Sequence, residues 1–189
     1  AWLKEPGGPG FVSWHQDATY FGIEPAEQVT AWLALSPSTP ESGCVSVLPG
    51  THKDGQISHH LDPVDANLLT SGQTVDLVID RSQVVDMVLE PGQMSLHHTH
   101  VLHGSNPNVS TDRRLGFCLM FIPTRLRQLG ETRSTALLVR GVDEYGNFGS
   151  ESPPQGNADP VSAAAHAGAL HLYRAHAQEQ GHPSGDRHD

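Results

Sequence analysis

Between residues 11 and 139 the chain is cut into short lengths. Runs rich in β-branched and aromatic residues recur at 11–17, 29–35, 44–48, 74–79, 84–89, 94–98, 115–122 and 136–139, each bounded by Gly, Pro, Asn or Asp. That punctuation is the signature of strands joined by tight turns. Eight short strands fit a sandwich or a rolled barrel, so an all-β core is expected. Gly 19 and Pro 14 in 189 residues supply the turns, a composition far from that of a long helix or coiled coil. The length is that of one domain, expected over residues 1–180. The stretch 53–72 has mixed polarity and no sustained period, and reads as an insertion with room for a helical turn.

One helix is expected at the C-terminal end. Asp159 stands as an N-cap with Pro160 at the first helical position, Gly181 lies past the end and Pro183 follows, the usual start and stop signals. Val161, Ala165 and Leu172, and Leu170, Tyr173 and Ala177, fall at helical spacing. The tail 181–189 is expected to be disordered, which makes its two His poor ligand candidates.

Charge narrows the partners. With 11 Lys and Arg against 21 Asp and Glu the formal charge is −10. No basic field draws a nucleic-acid backbone or an anionic bilayer, and neither is expected as a partner. Cys44 and Cys118 are too few for a disulfide framework, so a cytoplasmic, reducing compartment is expected. No apolar run approaches the roughly eighteen residues of a membrane span. The oligomeric state is not written in the pattern.

Thirteen His in a chain this acidic need a reason, because neutral imidazole is the commonest side-chain ligand of transition metals. In Trp14-His15-Gln16-Asp17, strand alternation sends His15 and Asp17 to one side. In Leu96-His97-His98-Thr99-His100-Val101-Leu102-His103 four His lie within seven positions. One of them can complete a two-His, one-carboxylate face, which leaves three octahedral positions of Fe(II) open for O2 and a chelating cosubstrate. A surface loop of solvated imidazoles is the plainer reading of the same residues.

Arg113-Arg114 leads into Leu115-Gly116-Phe117-Cys118-Leu119-Met120-Phe121-Ile122, apolar on both faces and therefore expected between layers. An Arg entering such a segment needs an anion. If Arg114 shares a face with Gly116 and Cys118, its guanidinium lies over a position without a side chain, with space for a ligand carboxylate. Arg113 is the natural member of a protein salt bridge.

Four segments in order carry a resemblance: Trp14-His15-Gln16-Asp17; Ala31-Trp32-Leu33-Ala34-Leu35; Ser42-Gly43-Cys44-Val45-Ser46-Val47-Leu48-Pro49-Gly50-Thr51-His52-Lys53; and His103-Gly104-Ser105-Asn106-Pro107-Asn108, with Arg114 beyond. Over about residues 11–123 the chain resembles the phytanoyl-CoA dioxygenase family of Fe(II)/2-oxoglutarate-dependent oxygenases. The resemblance implies a double-stranded β-helix, the cupin-like jelly roll, with iron on His15, Asp17 and His103. Arg114 falls where the family pairs an Arg with the distal carboxylate of 2-oxoglutarate, and Ser105 where a hydroxyl supports it. O2 is the third participant. Trp32, on a strand the family sets beside the iron, and His98 are candidates for the pocket wall.

The expected reaction is hydroxylation of a C–H bond in a small organic metabolite, with release of succinate and CO2. The rival is a cupin-like metal-binding module or lyase that does not turn over 2-oxoglutarate. Two departures stand out. Only fourteen residues precede His15, where family members carry a further N-terminal segment, and the chain opens on Ala1 without an initiator Met. Gly92-Gln93 replaces the family's frequent Gly-Asp.

Overall fold

The computed structural model describes residues 1–69, 71–157 and 159–182. In chain order these residues form β1 (Trp2–Lys4), β2 (Val12–His15), the short helix α1 (Asp17–Phe21), β3 (Ile23–Glu24), β4 (Val29–Ala34), β5 (Ser46–Leu48), β6 (His59–Leu61), β7 (Gln73–Val75), β8 (Val85–Asp86), β9 (Met94–His98), β10 (Leu102–Ser105), β11 (Arg114–Phe121), β12 (Arg127–Gln128), β13 (Thr135–Ala136), β14 (Gly149–Ser150) and the helix α2 (Pro160–Glu179). They divide into two compact units, residues 1–19 with 28–122, and residues 20–27 with 123 onward. No helix of the described residues is long and apolar enough to cross a membrane.

The first unit holds two four-stranded antiparallel sheets, a major one ordered β1-β11-β4-β9 and a minor one ordered β2-β10-β5-β8, with β6 and β7 as a separate pair. Eight strands in two such sheets are the strand set of a double-stranded β-helix, the expected fold class. The apolar runs at 29–35, 94–98 and 115–122 become β4, β9 and β11, the three longest strands. Expected strands that rest on weaker runs shrink: 44–48 to Ser46–Leu48, and 84–89 to Val85–Asp86. β10 has no counterpart in the expected set. Leu102-His103-Gly104-Ser105 lacks β-branched residues, and it is a strand because β2 and β5 bond it on both sides.

Residues directly opposite in an antiparallel pair share a face. In the major sheet Lys4 is opposite Arg114, Gly116 opposite Trp2 and Ala34, Cys118 opposite Trp32, Trp32 opposite Ser95, and Thr30 opposite His97. These positions form the inward face, and Lys4, Arg114, Thr30, Trp32, Ala34 and His97 on it are buried. The alternate positions Leu3, Phe117, Leu119, Phe121, Val29, Met94 and Leu96 are exposed. The expectation that 115–122 is buried on both faces is therefore corrected. Only its inward residues at the Arg114 end are covered.

In the second unit β3 pairs with β12 antiparallel and β13 with β14 in parallel. α2 matches its expected limits: the Asp159 carboxylate accepts from the backbone N–H of Val161 and Ser162, Pro160 opens the helix, and Gly181 follows it at φ 82°. An Asp N-cap and a left-handed Gly satisfy the helix-end groups that have no intrahelical partner. His182, expected in a disordered tail, is instead buried with its ring 4.6 Å from that of Tyr20. Residues 183–189 of that expected tail lie outside the described residues.

Candidate metal centre

The minor sheet brings two imidazoles together. β2 and β10 pair so that His15 lies directly opposite His103, with ring centroids 4.1 Å apart. The next residue of β10 is Gly104, where a Cβ would sit 2.9 Å from the Val12 carbonyl oxygen. A side chain there would force the two strands apart and separate the imidazoles. Each His is held by its own strand: Nδ1 of His15 lies 2.8 Å from the Ser13 carbonyl oxygen, and Nδ1 of His103 lies 3.0 Å from that of Val101. Nδ1 therefore donates in both rings, and both Nε2 lone pairs are left free for a metal.

Asp17 does not share the strand. β2 stops at His15, and Asp17 is the first residue of α1, which ends at Phe21 and is followed by Gly22 at φ 51°. The strand alternation expected for His15 and Asp17 is replaced by a strand-to-helix turn, and the two side chains still meet. Asp17 Oδ1 lies 3.5 Å from His15 Nε2 and 3.6 Å from His103 Nε2. One ligand atom from each of the three lies within 4.8 Å of the other two. The second carboxylate oxygen, Oδ2, accepts 2.8 Å from the Thr30 hydroxyl. Gln16 between the ligands is fully buried; its amide donates to the Gly55 and His100 carbonyls and its oxygen accepts from the Ile57 N–H, which ties two loops to the site.

The protonation states suit a cation. Burial lowers His103 to about 3, assisted by His15, so it is neutral at physiological pH and keeps its Nε2 lone pair. For Asp17 burial acts upward, but the surrounding imidazoles, His103 first and then His15 and His97, outweigh it and hold the carboxyl well below the ordinary range. The site is thus a buried carboxylate facing two imidazoles, of which His103 is held neutral by its burial.

A third imidazole stands beside them. His97 is buried, its Nε2 lies 3.7 Å from Asp17 Oδ2, its ring centroid lies 4.6 Å from that of His103, and neither ring nitrogen has a hydrogen-bond partner. His98, expected in the pocket wall, is sent to the opposite face by the alternation of β9. Its Nδ1 accepts from the His100 N–H at 3.0 Å, and its ring neighbours are His52 and His100. Nothing in the sequence singles out Thr30, and His97 stands there only as one of four clustered His without a role of its own. Their signal is parity, since Thr30 is two residues from Trp32 on β4.

Arg114 is 2% exposed, and among the described residues it has no ion pair, with Nε unpartnered. Burial lowers it to about 10, still charged at neutral pH. Its guanidinium carbon lies 4.7 Å from the Trp32 ring centroid. The room over Gly116 is taken by that indole, not by a ligand: a Cβ on Gly116 would sit 2.4 Å from Trp32 Cζ2. Trp32 is thus both core and wall, and its buried Nε1 has no partner. Ser105 is buried at the end of β10. Arg113 behaves as its exposed position dictates, pairing with Glu5 at 2.9 Å.

The model of the phytanoyl-CoA dioxygenase (PhyH) family matches residues 1–116. The chain belongs to the phytanoyl-CoA dioxygenase family. Among curated relatives it is 31% identical over 123 residues to phytanoyl-CoA dioxygenase 1 of Oryza sativa subsp. japonica, covering 65% of this chain and 42% of the relative. It is 28% identical over 150 residues to a probable alpha-ketoglutarate-dependent hypophosphite dioxygenase of Stutzerimonas stutzeri, covering 78% and 48%. The chain spans less than half the length of these family relatives. Among solved structures, the non-heme monooxygenase ThoJ in its apo form superposes at a TM-score of 0.83 with 26% identity, covering 95% of this chain and 65% of that one. EvdO2 from Micromonospora carbonacea var. aurantiaca, complexed with 2-oxoglutarate, superposes at 0.57 with 28% identity over 68% of this chain and 51% of its own.

Proposed function

We propose that the chain carries the catalytic centre of an Fe(II)/2-oxoglutarate-dependent oxygenase, with His15, Asp17 and His103 as the metal ligands and Arg114 with Ser105 as the anchor for the distal carboxylate. The observation that carries the reading is the presence of two sites on one framework: two imidazoles and a carboxylate whose ligand atoms converge, and a buried guanidinium that no protein carboxylate pairs among the described residues. The donor set fits the metal, since two imidazoles and one carboxylate form a facial triad of the kind non-haem Fe(II) takes. A buried unpaired guanidinium fits a carboxylate cosubstrate, because planar bidentate pairing is its strongest interaction.

Bound together, Fe(II), 2-oxoglutarate and O2 would supply an oxidant for an unactivated C–H bond, one oxygen atom ending in the product and one in succinate, with CO2 released. What this chain contributes is position. The Nδ1 donations of His15 and His103 fix the two rings, and Thr30 holds the outer oxygen of Asp17. Trp32 packs against Arg114 and excludes water from the anion's end. The substrate class is a small organic metabolite, and the reaction is hydroxylation. Purified protein with Fe(II) and 2-oxoglutarate, given a metabolite pool under air, is expected to consume O2 and release succinate in step with an oxygenated product. Metal binding without succinate under any pool would support the metal-binding module or lyase instead.

A further inference from the structure

The inward face of the major sheet holds a second buried cation that the triad and its anchor do not use. Lys4 closes β1 directly opposite Arg114 in the β1–β11 ladder, is 3% exposed, and forms no ion pair among the described residues. Its ammonium gives its three protons to the Ser105 hydroxyl at 2.6 Å, the Gly43 carbonyl at 3.4 Å and the Asn106 carbonyl. The major sheet thus reaches across to Ser105 on the minor sheet through one lysine. Gly43 is kept small for this: at φ 71°, a Cβ there would lie 2.2 Å from the Asn106 oxygen and 3.1 Å from Lys4 Nζ.

Two consequences follow from elementary chemistry. A serine hydroxyl has one hydrogen, and when an ammonium occupies its oxygen that hydrogen is aimed away from the lysine, toward an acceptor. The Ser105 hydrogen has no acceptor among the described residues. Two cations buried side by side, with no protein anion between them among the described residues, repel each other, and either loss of the Lys4 proton or a ligand with negative charge at that place relieves the repulsion. Burial first, and then the Arg114 charge, lower Lys4 to about 7.

Resting on the reading of the anchor given above, we propose that Lys4 is a positioning residue for the far carboxylate of 2-oxoglutarate: it orients the Ser105 hydroxyl as a donor and makes the pocket select a dicarboxylate over a 2-oxo acid with an uncharged end. Its effect runs through Ser105 and through charge.

Calorimetric titration of the anaerobic Fe(II)-loaded protein with 2-oxoglutarate and with 2-oxobutyrate, which keeps the chelating end and lacks the far carboxylate, tests this. Lys4→Met should weaken 2-oxoglutarate roughly tenfold to hundredfold, with 2-oxobutyrate changed less than about twofold. Lys4→Met combined with Ser105→Ala should lose less than the product of the two single losses, as coupled partners do. If Lys4→Met does not fold, the wild-type pH profile serves. The preference for 2-oxoglutarate should fall as pH rises from 7 to 9, because the free ammonium loses its proton and binding must restore it. The titratable groups about Lys4 are Arg114 on β11 and Cys44 on the approach to β5, the latter raised to about 11, and both keep their state to pH 9. Equal losses for the two ligands, full additivity, or a preference that does not move with pH would overturn the proposal. Wild-type protein that binds Fe(II) but not 2-oxoglutarate would remove the functional reading itself, a separate and earlier failure.

Discussion

On the inward face of the major sheet Lys4, Arg114, Thr30, Trp32 and His97 are buried, while on its outward face Leu3, Phe117, Leu119, Phe121, Met94 and Leu96 stand exposed. The hydrophobic effect alone would turn the apolar set inward. Shifting the register of any strand by one residue would do so, and the sheet does not adopt that register. The inward polar set is instead matched residue by residue, Thr30 to Asp17 and Lys4 to Ser105 off the sheet, and Arg114 to the Trp32 ring on the same face. The Arg114 Nε, the Trp32 Nε1 and both nitrogens of His97 on this face have no hydrogen-bond partner among the described residues. The contrast teaches that one face is chosen for chemistry and the other for surface.

If that division is right, substitutions on the two faces separate cleanly. The largest effect belongs to the unpaired cation. Arg114→Met should weaken 2-oxoglutarate by about tenfold to hundredfold, whereas Arg113→Met, removing an exposed partner of Glu5, should lie within about twofold of wild type by the same titration. Similar losses for the two would erase the distinction between the faces. Next comes the space over Gly116. Gly116→Val drives a side chain into the Trp32 indole, and thermal or urea unfolding should show a loss of about 1–3 kcal/mol. Stability at the wild-type level would mean that the indole is not fixed there.

The same strand supplies an internal control. His97→Ala, which removes the imidazole 3.7 Å from the Asp17 carboxylate, should weaken Fe(II) about tenfold, while His98→Ala, on the other parity of β9, should leave it within twofold. A reversed order would put β9 in the opposite register. The smallest effect is expected outside. Leu96→Gln should change stability by less than about 0.5 kcal/mol and reduce binding of an apolar dye, since exposed apolar patches are adhesive.

How much of this was readable in the residues depends on whether the cause is local. α2 was legible from end to end because Asp159, Pro160 and Gly181 act on their own neighbours. β4, β9 and β11 were legible as strands from their composition. The parity of β11 was not, because Leu115 to Ile122 is apolar at nearly every position and only pairing with β1 and β4 decides which side is inward. The close approach of His15 and Asp17 was anticipated from their spacing, but by the wrong geometry, since the strand yields to a helix at Asp17. Four His near residue 100 left the choice among them open from chemistry alone. The β2–β10 register puts His103 opposite His15, and no property of the local sequence encodes that. Lys4 was invisible for the same reason: near the start of a chain a single Lys reads as solvated, and its burial comes from a ladder to a residue 110 positions away.

The central claim is that His15, Asp17 and His103 together hold one Fe(II). Anaerobic calorimetric titration of wild type and of His15→Ala, Asp17→Ala and His103→Ala tests it without any knowledge of the substrate. One Fe(II) per wild-type chain is predicted, with affinity reduced in each variant by more than the roughly tenfold to hundredfold that outer groups command. Normal Fe(II) binding by His103→Ala, with loss in His98→Ala or His100→Ala, would contradict the account.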